Sequence, residues 1–219
     1  MNPLLKPFLP VSFAIVLAGC MAPVTHEPAN LSTLKREVDR YAGSGRYEAD
    51  LAAVSRAAQK WISRRARQGG GNLAVVLDID ETVLSNLEHM RENDWGYHPG
   101  RWDAWMKQAD APALDPVRGI YQCARKHDVA VFFITGRSES VRSATVRNLK
   151  AAGMGDYGGL ILRADGSGRS AAVIKAEQRR RLSERGFTII ASIGDQQSDL
   201  DGGYAERVFK LPNPFYLIH

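Results

Sequence analysis

The chain has 219 residues and a mass of 24.1 kDa, with 44% hydrophobic and 24% charged residues. That supplies one sizeable core and excludes a disordered chain. Two cysteines, Cys20 and Cys123, and five scattered histidines exclude a disulfide-framework miniprotein and show no spacing suited to zinc or an iron–sulfur cluster. The 29 basic against 24 acidic side chains give a net charge of +5 and a pI near 9.3, which suits an anionic partner. The excess is too mild to single out nucleic acid, and no nucleic-acid partner is expected.

In chain order, residues 1–19 read as a signal peptide: Lys6 precedes a mostly apolar run from Phe8 to Leu17, too short to span a bilayer stably. The ending Leu17-Ala18-Gly19-Cys20 resembles a bacterial lipobox. The resemblance implies cleavage before Cys20, lipidation of that cysteine and a membrane anchor, each buried methylene contributing about 0.8 kcal/mol. Met21 stands where an aspartate would favour the inner membrane, so the expected location is the bacterial cell envelope. The outer membrane is favoured, with the domain facing the periplasm or the cell surface. Residues 20–30, with Pro23, Pro28 and Asn30, read as a polar tether to a domain over 31–219. Cys123, at helical spacing from Ile120 and His127, is expected to be a buried, inert thiol.

From Tyr47 to Arg67 the residues Leu51, Val54, Ala58 and Ile62 share one helical stripe, while Arg56, Lys60, Arg64 and Arg67 fall on a solvated face. Gly69-Gly70-Gly71 ends that helix. Leu73 to Leu77 is a continuously apolar run of the kind buried on both faces of a parallel sheet. Similar runs recur at Val129–Ile134, Gly159–Leu162 and Phe187–Ile193, with a short last strand at Arg207–Leu211. Helical patterns at Asp115–His127, Ser138–Ala152 and Arg169–Arg185 separate them. The alternation predicts an α/β fold, a Rossmann-like, mostly parallel sheet flanked by helices. The stretch between Asp80 and Thr135 exceeds a strand–helix–strand unit of about 30 residues by some twenty to twenty-five. The surplus, about residues 85–111, holds Trp95, Tyr97, Trp102 and Trp105 and is read as a small cap.

Open parallel sheets gather their ligands at the carboxyl ends of strands, so the polar residues just beyond each apolar run carry the chemistry. These are Asp78-Ile79-Asp80-Glu81-Thr82, Thr135-Gly136-Arg137 and Gly194-Asp195-Gln196-Gln197-Ser198-Asp199, with Lys175 on an intervening helix. Asp78 and Asp195 are hard oxygen ligands suited to Mg²⁺, which offsets repulsion between carboxylates and a phosphate dianion. Asp78 can attack phosphorus, and Asp80 can protonate the leaving oxygen and then activate water. Thr135 and the Gly136 amide suit phosphoryl oxygens, and Lys175 supplies a fixed positive charge.

The ordered runs resemble the haloacid dehalogenase superfamily of phosphatases. More narrowly they resemble the branch containing bacterial class C (lipoprotein e-type) acid phosphatases, plant acid phosphatases and vegetative storage proteins. The narrower likeness rests on Val76 to Asn86, on Phe133 to Arg137, on Gly194 to Leu200 and on the closing Phe209 to Tyr216. It implies a haloacid dehalogenase-like core, a Mg²⁺ held by Asp78, the Asp80 carbonyl and Asp195, and hydrolysis of small phosphate monoesters at acidic pH. Gln197 replaces the tryptophan of the plant-like pattern, and either Asp199 or Asp201 could support the ion. Related lipoproteins act on nucleoside monophosphates, so Trp95, Tyr97, Trp102 and Tyr216 become candidate stacking residues. A non-catalytic binding or storage role on the same fold is the alternative, and the presence of Asp78 argues against it. Phosphoryl transfer to an acceptor alcohol is a third course open to the same intermediate.

Overall fold

The computed structural model describes residues 27–218. The leader, the lipobox with Cys20 and the first part of the tether lie outside the described residues. Residues 27–30 are exposed and irregular. Asn30 ends them by capping α1 (Leu31–Gly43), its side chain accepting from Ser32 N and Thr33 N. Next comes α2 (Arg46–Ala66), whose expected stripe is observed: Leu51, Ala58 and Ile62 are buried, while Arg56, Lys60, Arg64 and Arg67 are exposed. No helix among the described residues is long and apolar enough to cross a membrane.

Five strands follow, β1 (Asn72–Leu77), β2 (Ala130–Ser138), β3 (Gly159–Arg163), β4 (Phe187–Gly194) and β5 (Val208–Lys210). They form one sheet in the order β3-β2-β1-β4-β5, and every pairing is parallel. Side-chain alternation divides the core between the two faces of the sheet. Val75 and Leu77 of β1 pack with Ile62 and with Val117 and Ile120 of α5 (Asp115–Lys126). Ala74 and Val76 pack on the other side with Leu182 of α7 (Ala171–Glu184). The chain leaves β1 toward β2 and β3, then returns across it to β4. That reversal opens a crevice at the carboxyl ends of β1 and β4.

The surplus segment is the expected insertion, folded as α3 (Leu87–Glu92) and α4 (Pro99–Gln108). Its two stems are held side by side, Ser85 N donating to Pro112 O and Leu114 N to Val83 O. Three expectations shift in detail. β2 runs on through Thr135-Gly136-Arg137 instead of ending at Ile134. The helix expected from Ser138 opens as a 3₁₀ turn, Glu139–Val141, before α6 (Arg142–Ala151). Cys123 is half-buried rather than buried, because its thiol faces the polar seam between α2 and α5, within 3.2 Å of Ser63 Oγ.

Candidate active site

Strand register brings the chemistry together. Leu77 pairs with Phe133 on one side and Ile193 on the other, so the residues just beyond them lie side by side at one end of the sheet. Asp78 continues β1, its N–H donating to Ile193 O. Beyond it the buried Ile79 anchors a tight turn, its carbonyl accepting from Val83 N and Leu84 N, both at 2.9 Å. Glu81 sits in that turn at φ 50°.

Carboxylate oxygens of Asp78, Asp195 and Asp199 lie within 4.8 Å of one another, and all three residues are buried. Lys175 of α7 enters this cluster, donating to Asp78 Oδ1 at 2.6 Å and also to Asp199 Oδ1. Asp195 is braced by three donors, Thr82 Oγ1 at 3.0 Å and Gln196 Nε2 and Asn213 Nδ2 at 2.7 Å each. Asp199 is fixed by the Gln196 N–H at 2.8 Å. Gly194 is required beside it, since a Cβ there would occupy the space of the Asp199 carboxylate. Of the two alternatives for a supporting carboxylate, Asp199 is the one in the cluster. Asp201 is exposed and accepts from Gln197 Nε2 instead.

Asp80 stands apart from that cluster in a fork-to-fork ion pair. Arg137 Nε donates to both its oxygens at 3.1 and 3.0 Å, and Nη2 to Oδ1 at 2.8 Å. Asn86 Nδ2 adds a bond at 2.9 Å. Thr135 is buried, and its hydroxyl oxygen accepts the Arg137 N–H at 3.1 Å. Gly136, by contrast, lines the cavity directly.

That cavity, about 580 Å³, has Asp78, Asp80, Asp195 and Lys175 in its wall, and Trp95, Tyr97, Trp102 and Tyr216 line it as well. All four candidate stacking residues therefore share one space with the carboxylates. They also touch one another: Trp102 lies 6.0 Å from Tyr97 and 6.4 Å from Tyr216 between ring centroids. Trp95 has one face taken by Phe215, stacked at 5.3 Å. Trp105 serves the cap instead, stacked on His89 and donating to Asn86 Oδ1 at 2.7 Å.

Residues 18–219 match a family model described as HAD superfamily, subfamily IIIB (acid phosphatase). The chain belongs to this family of acid phosphatases. It is 39% identical to acid phosphatase 1 of Solanum lycopersicum over 177 residues, covering 78% of this chain and 69% of the relative. Vegetative storage protein 1 of Arabidopsis thaliana is 30% identical over 179 residues, covering 80% and 66%. Among solved structures, the class C acid phosphatase from Bacillus anthracis superposes with a TM-score of 0.72 at 25% identity, covering 85% of this chain and 86% of that one.

The phosphatase site includes residues whose roles its sequence leaves unassigned. Arg137 stands near the end of β2, and its pairing with Asp80 depends on how β2 abuts β1. Asn86, Gln196 and Asn213 are ordinary polar residues in sequence. Their placement makes them braces, Asn86 joining Asp80, Glu81 and Trp105, and the other two holding Asp195.

Electrostatics follow from burial. Desolvation raises the Asp78 carboxyl well above the ordinary range, partly offset by Lys175 and reinforced by Asp199 and Asp195. Asp195 is raised in the same way by burial and Asp199. Burial works against the Lys175 ammonium, but Asp78 and Asp199 outweigh it and hold its pKa above the usual lysine value. For Asp80 burial is outweighed by Arg137, whose charge and hydrogen bonds keep that carboxyl low and ionised. Glu81 is pushed up to about 8, chiefly by burial and then by the charge of Asp80, against bonds from Asn86 and Tyr216.

A carboxyl whose pKa is raised on folding costs no stability below its unfolded value, progressively more as pH rises from that value toward the folded one, and a constant amount above it. Metal-free phosphatase is therefore expected to lose stability between about pH 4.5 and pH 8 partly through Glu81. The Glu81→Gln variant lacks this contribution, while Asp78 and Asp195 titrate in both proteins. Thermal unfolding in chelator should show the wild-type melting temperature falling relative to the variant between pH 5 and pH 8, about 2–4 °C for each kcal/mol. A gap independent of pH would show that Glu81 is ionised throughout.

Proposed function

We propose that this phosphatase hydrolyses phosphate monoesters through an aspartyl phosphate on Asp78, with Mg²⁺ as its metal and nucleoside monophosphates as a substrate class. The supporting observation is the charge balance of the cluster, in which three buried carboxylates face one ammonium. Such a set is costly without a further cation, and its oxygen donors are hard ligands of the kind Mg²⁺ takes. Asp78, Asp195 and Asp199 are the carboxylates that would hold it, with the Asp80 carbonyl as the further ligand implied by the family. When bound, Mg²⁺ would offset the repulsion that these carboxylates exert on a phosphate dianion.

The residues themselves account for the remaining steps. Lys175 holds Asp78 Oδ1 in a fixed direction, leaving the other oxygen to attack phosphorus. As the ester oxygen leaves, it takes a proton from Asp80. In the ligand-free site Arg137 keeps Asp80 ionised; an arriving dianion beside Arg137 weakens that hold, and Asp80 takes up a proton from solvent water before it gives that proton to the leaving oxygen. Once ionised again, Asp80 accepts a proton from the water that attacks the phosphoaspartate, releasing phosphate and restoring Asp78. The Gly136 amide and Lys175 are the donors proposed for the phosphoryl oxygens, and Thr135 is proposed to contribute through the backbone turn it secures.

The substrate class is supported by the cavity lining, where Trp95, Tyr97, Trp102 and Tyr216 offer aromatic surface to a nucleobase. Stacking is worth about 1–3 kcal/mol per base. Anchoring at Cys20 to the outer membrane of a bacterial envelope is likewise proposed, on the lipobox-like Leu17-Ala18-Gly19-Cys20 alone.

Asp78→Asn is expected to abolish release of phosphate from an aryl phosphate, and chelation to do the same reversibly on return of Mg²⁺. Substantial turnover by that variant would move the nucleophile elsewhere. Trp95→Ala with Trp102→Ala should raise KM for a nucleoside monophosphate about tenfold or more, from the stacking energy above. An equal change for a plain aryl phosphate would remove the base-stacking role. Detergent-phase partitioning of the full chain should be lost in Cys20→Ser, and its retention would exclude the anchor.

A further inference from the structure

The stretch after β5 forms no helix or strand from Leu211 to Ile218, yet it is tied down at successive positions. Asn213 donates to Asp195 Oδ2 and accepts the Phe215 N–H at 2.8 Å. Phe215 turns inward, stacked on Trp95 and edge-on to Tyr47 at 5.2 Å. Tyr216 OH donates to Glu81 Oε2 at 2.7 Å. Gln196 closes the series from the loop after β4. Its Nε2 donates to Asp195 Oδ2 and, at 3.4 Å, to Tyr216 O, while its Oε1 accepts the Ile218 N–H at 3.1 Å.

What this clasp presents is apolar. Leu217 and Ile218 line the cavity, are 68% and 48% exposed, and belong to neither core cluster. Two large aliphatic side chains thus line the cavity from outside the core, on a segment held by hydrogen bonds at Asn213, Tyr216 and Ile218, where an apolar group of a ligand would meet them. They extend the apolar surround that Trp95, Tyr97 and Trp102 begin.

We propose that residues 213–218 are a specificity wall, clasped by Gln196, whose Leu217 and Ile218 select phosphate monoesters with a broad apolar or aromatic leaving group over those of small polar alcohols. Leu217 and Ile218 contact the leaving group, and Gln196 is a positioning residue that acts through them. This rests on the phosphatase reading for the identity of the ligand, but it concerns binding and can be read without turnover.

The test compares 1-naphthylmethylphosphonate, a non-hydrolysable probe, with inorganic phosphate by calorimetry on the full chain in Mg²⁺. The double variant Leu217→Ser with Ile218→Ser should lower the preference for the phosphonate about tenfold, the scale of losing a few tens of square ångströms of apolar contact. Gln196→Met, which keeps the bulk but not the bonds, should lower it similarly. An unchanged preference, even with both affinities reduced, would assign the segment a structural role and overturn the wall. Equal affinity for the two ligands in the unaltered protein would also overturn it. If the unaltered protein shows the preference, the variants lose it and 1-naphthyl phosphate is not hydrolysed, the catalytic reading falls and the wall stands.

Discussion

Three carboxylates and a single ammonium share a buried space at the carboxyl ends of β1 and β4, and this imbalance of charge governs the rest of the site. Asp195 and Asp199 are 1% and 3% exposed, so water does little to screen them. Lys175 is the counter-charge within reach, and it bonds two of the three. The raised pKa values of Asp78 and Asp195 express the same deficit, as does the suitability of the set for a hard divalent cation.

Holding like charges together requires a rigid frame, and the parallel sheet supplies it. Adjacent strands in register bring Asp78 and Asp195 to neighbouring positions without any long side chain having to reach. Gly194 then lets Asp199 fold back against the strand end. Across β1, the extension of β2 brings Arg137 to Asp80, so the second carboxylate of the Asp78-Ile79-Asp80 run has a cation of its own. The two aspartates thus lie in opposite electrostatic settings two residues apart, one raised and one lowered. The difference follows from their partners, since Arg137 bonds Asp80 directly while Asp78 shares a single ammonium with Asp199.

The outer parts of the molecule are tied to that centre by uncharged residues. Asn86 links the cap, through Trp105, to Asp80 and Glu81. Asn213 and Gln196 link the closing segment to Asp195. Cap and closing segment meet where Trp95 stacks on Phe215. The aromatic lining and the carboxylates are therefore joined by a short chain of contacts.

Much of this was legible in the chain itself. Buried parallel strands read as unbroken apolar runs because both faces lack water, and with the helix patterns between them they marked the alternation and pointed to Asp78, Asp80, Thr135 and Asp195 just beyond those runs, with Lys175 on a helix between two of them. The surplus between Asp80 and Thr135 announced the cap in the same way. Tertiary structure alone decided which partners those residues have. The order β3-β2-β1-β4-β5 put Arg137 on Asp80, the turn after β4 placed Asp199 rather than Asp201 in the carboxylate cluster, and the segment after β5 brought Asn213 to Asp195. Periodicity records whether a side chain faces water or core. Pairing across the sheet depends on strand order and register, which join residues distant in the chain, 57 positions apart in the case of Arg137 and Asp80, and leave no local trace.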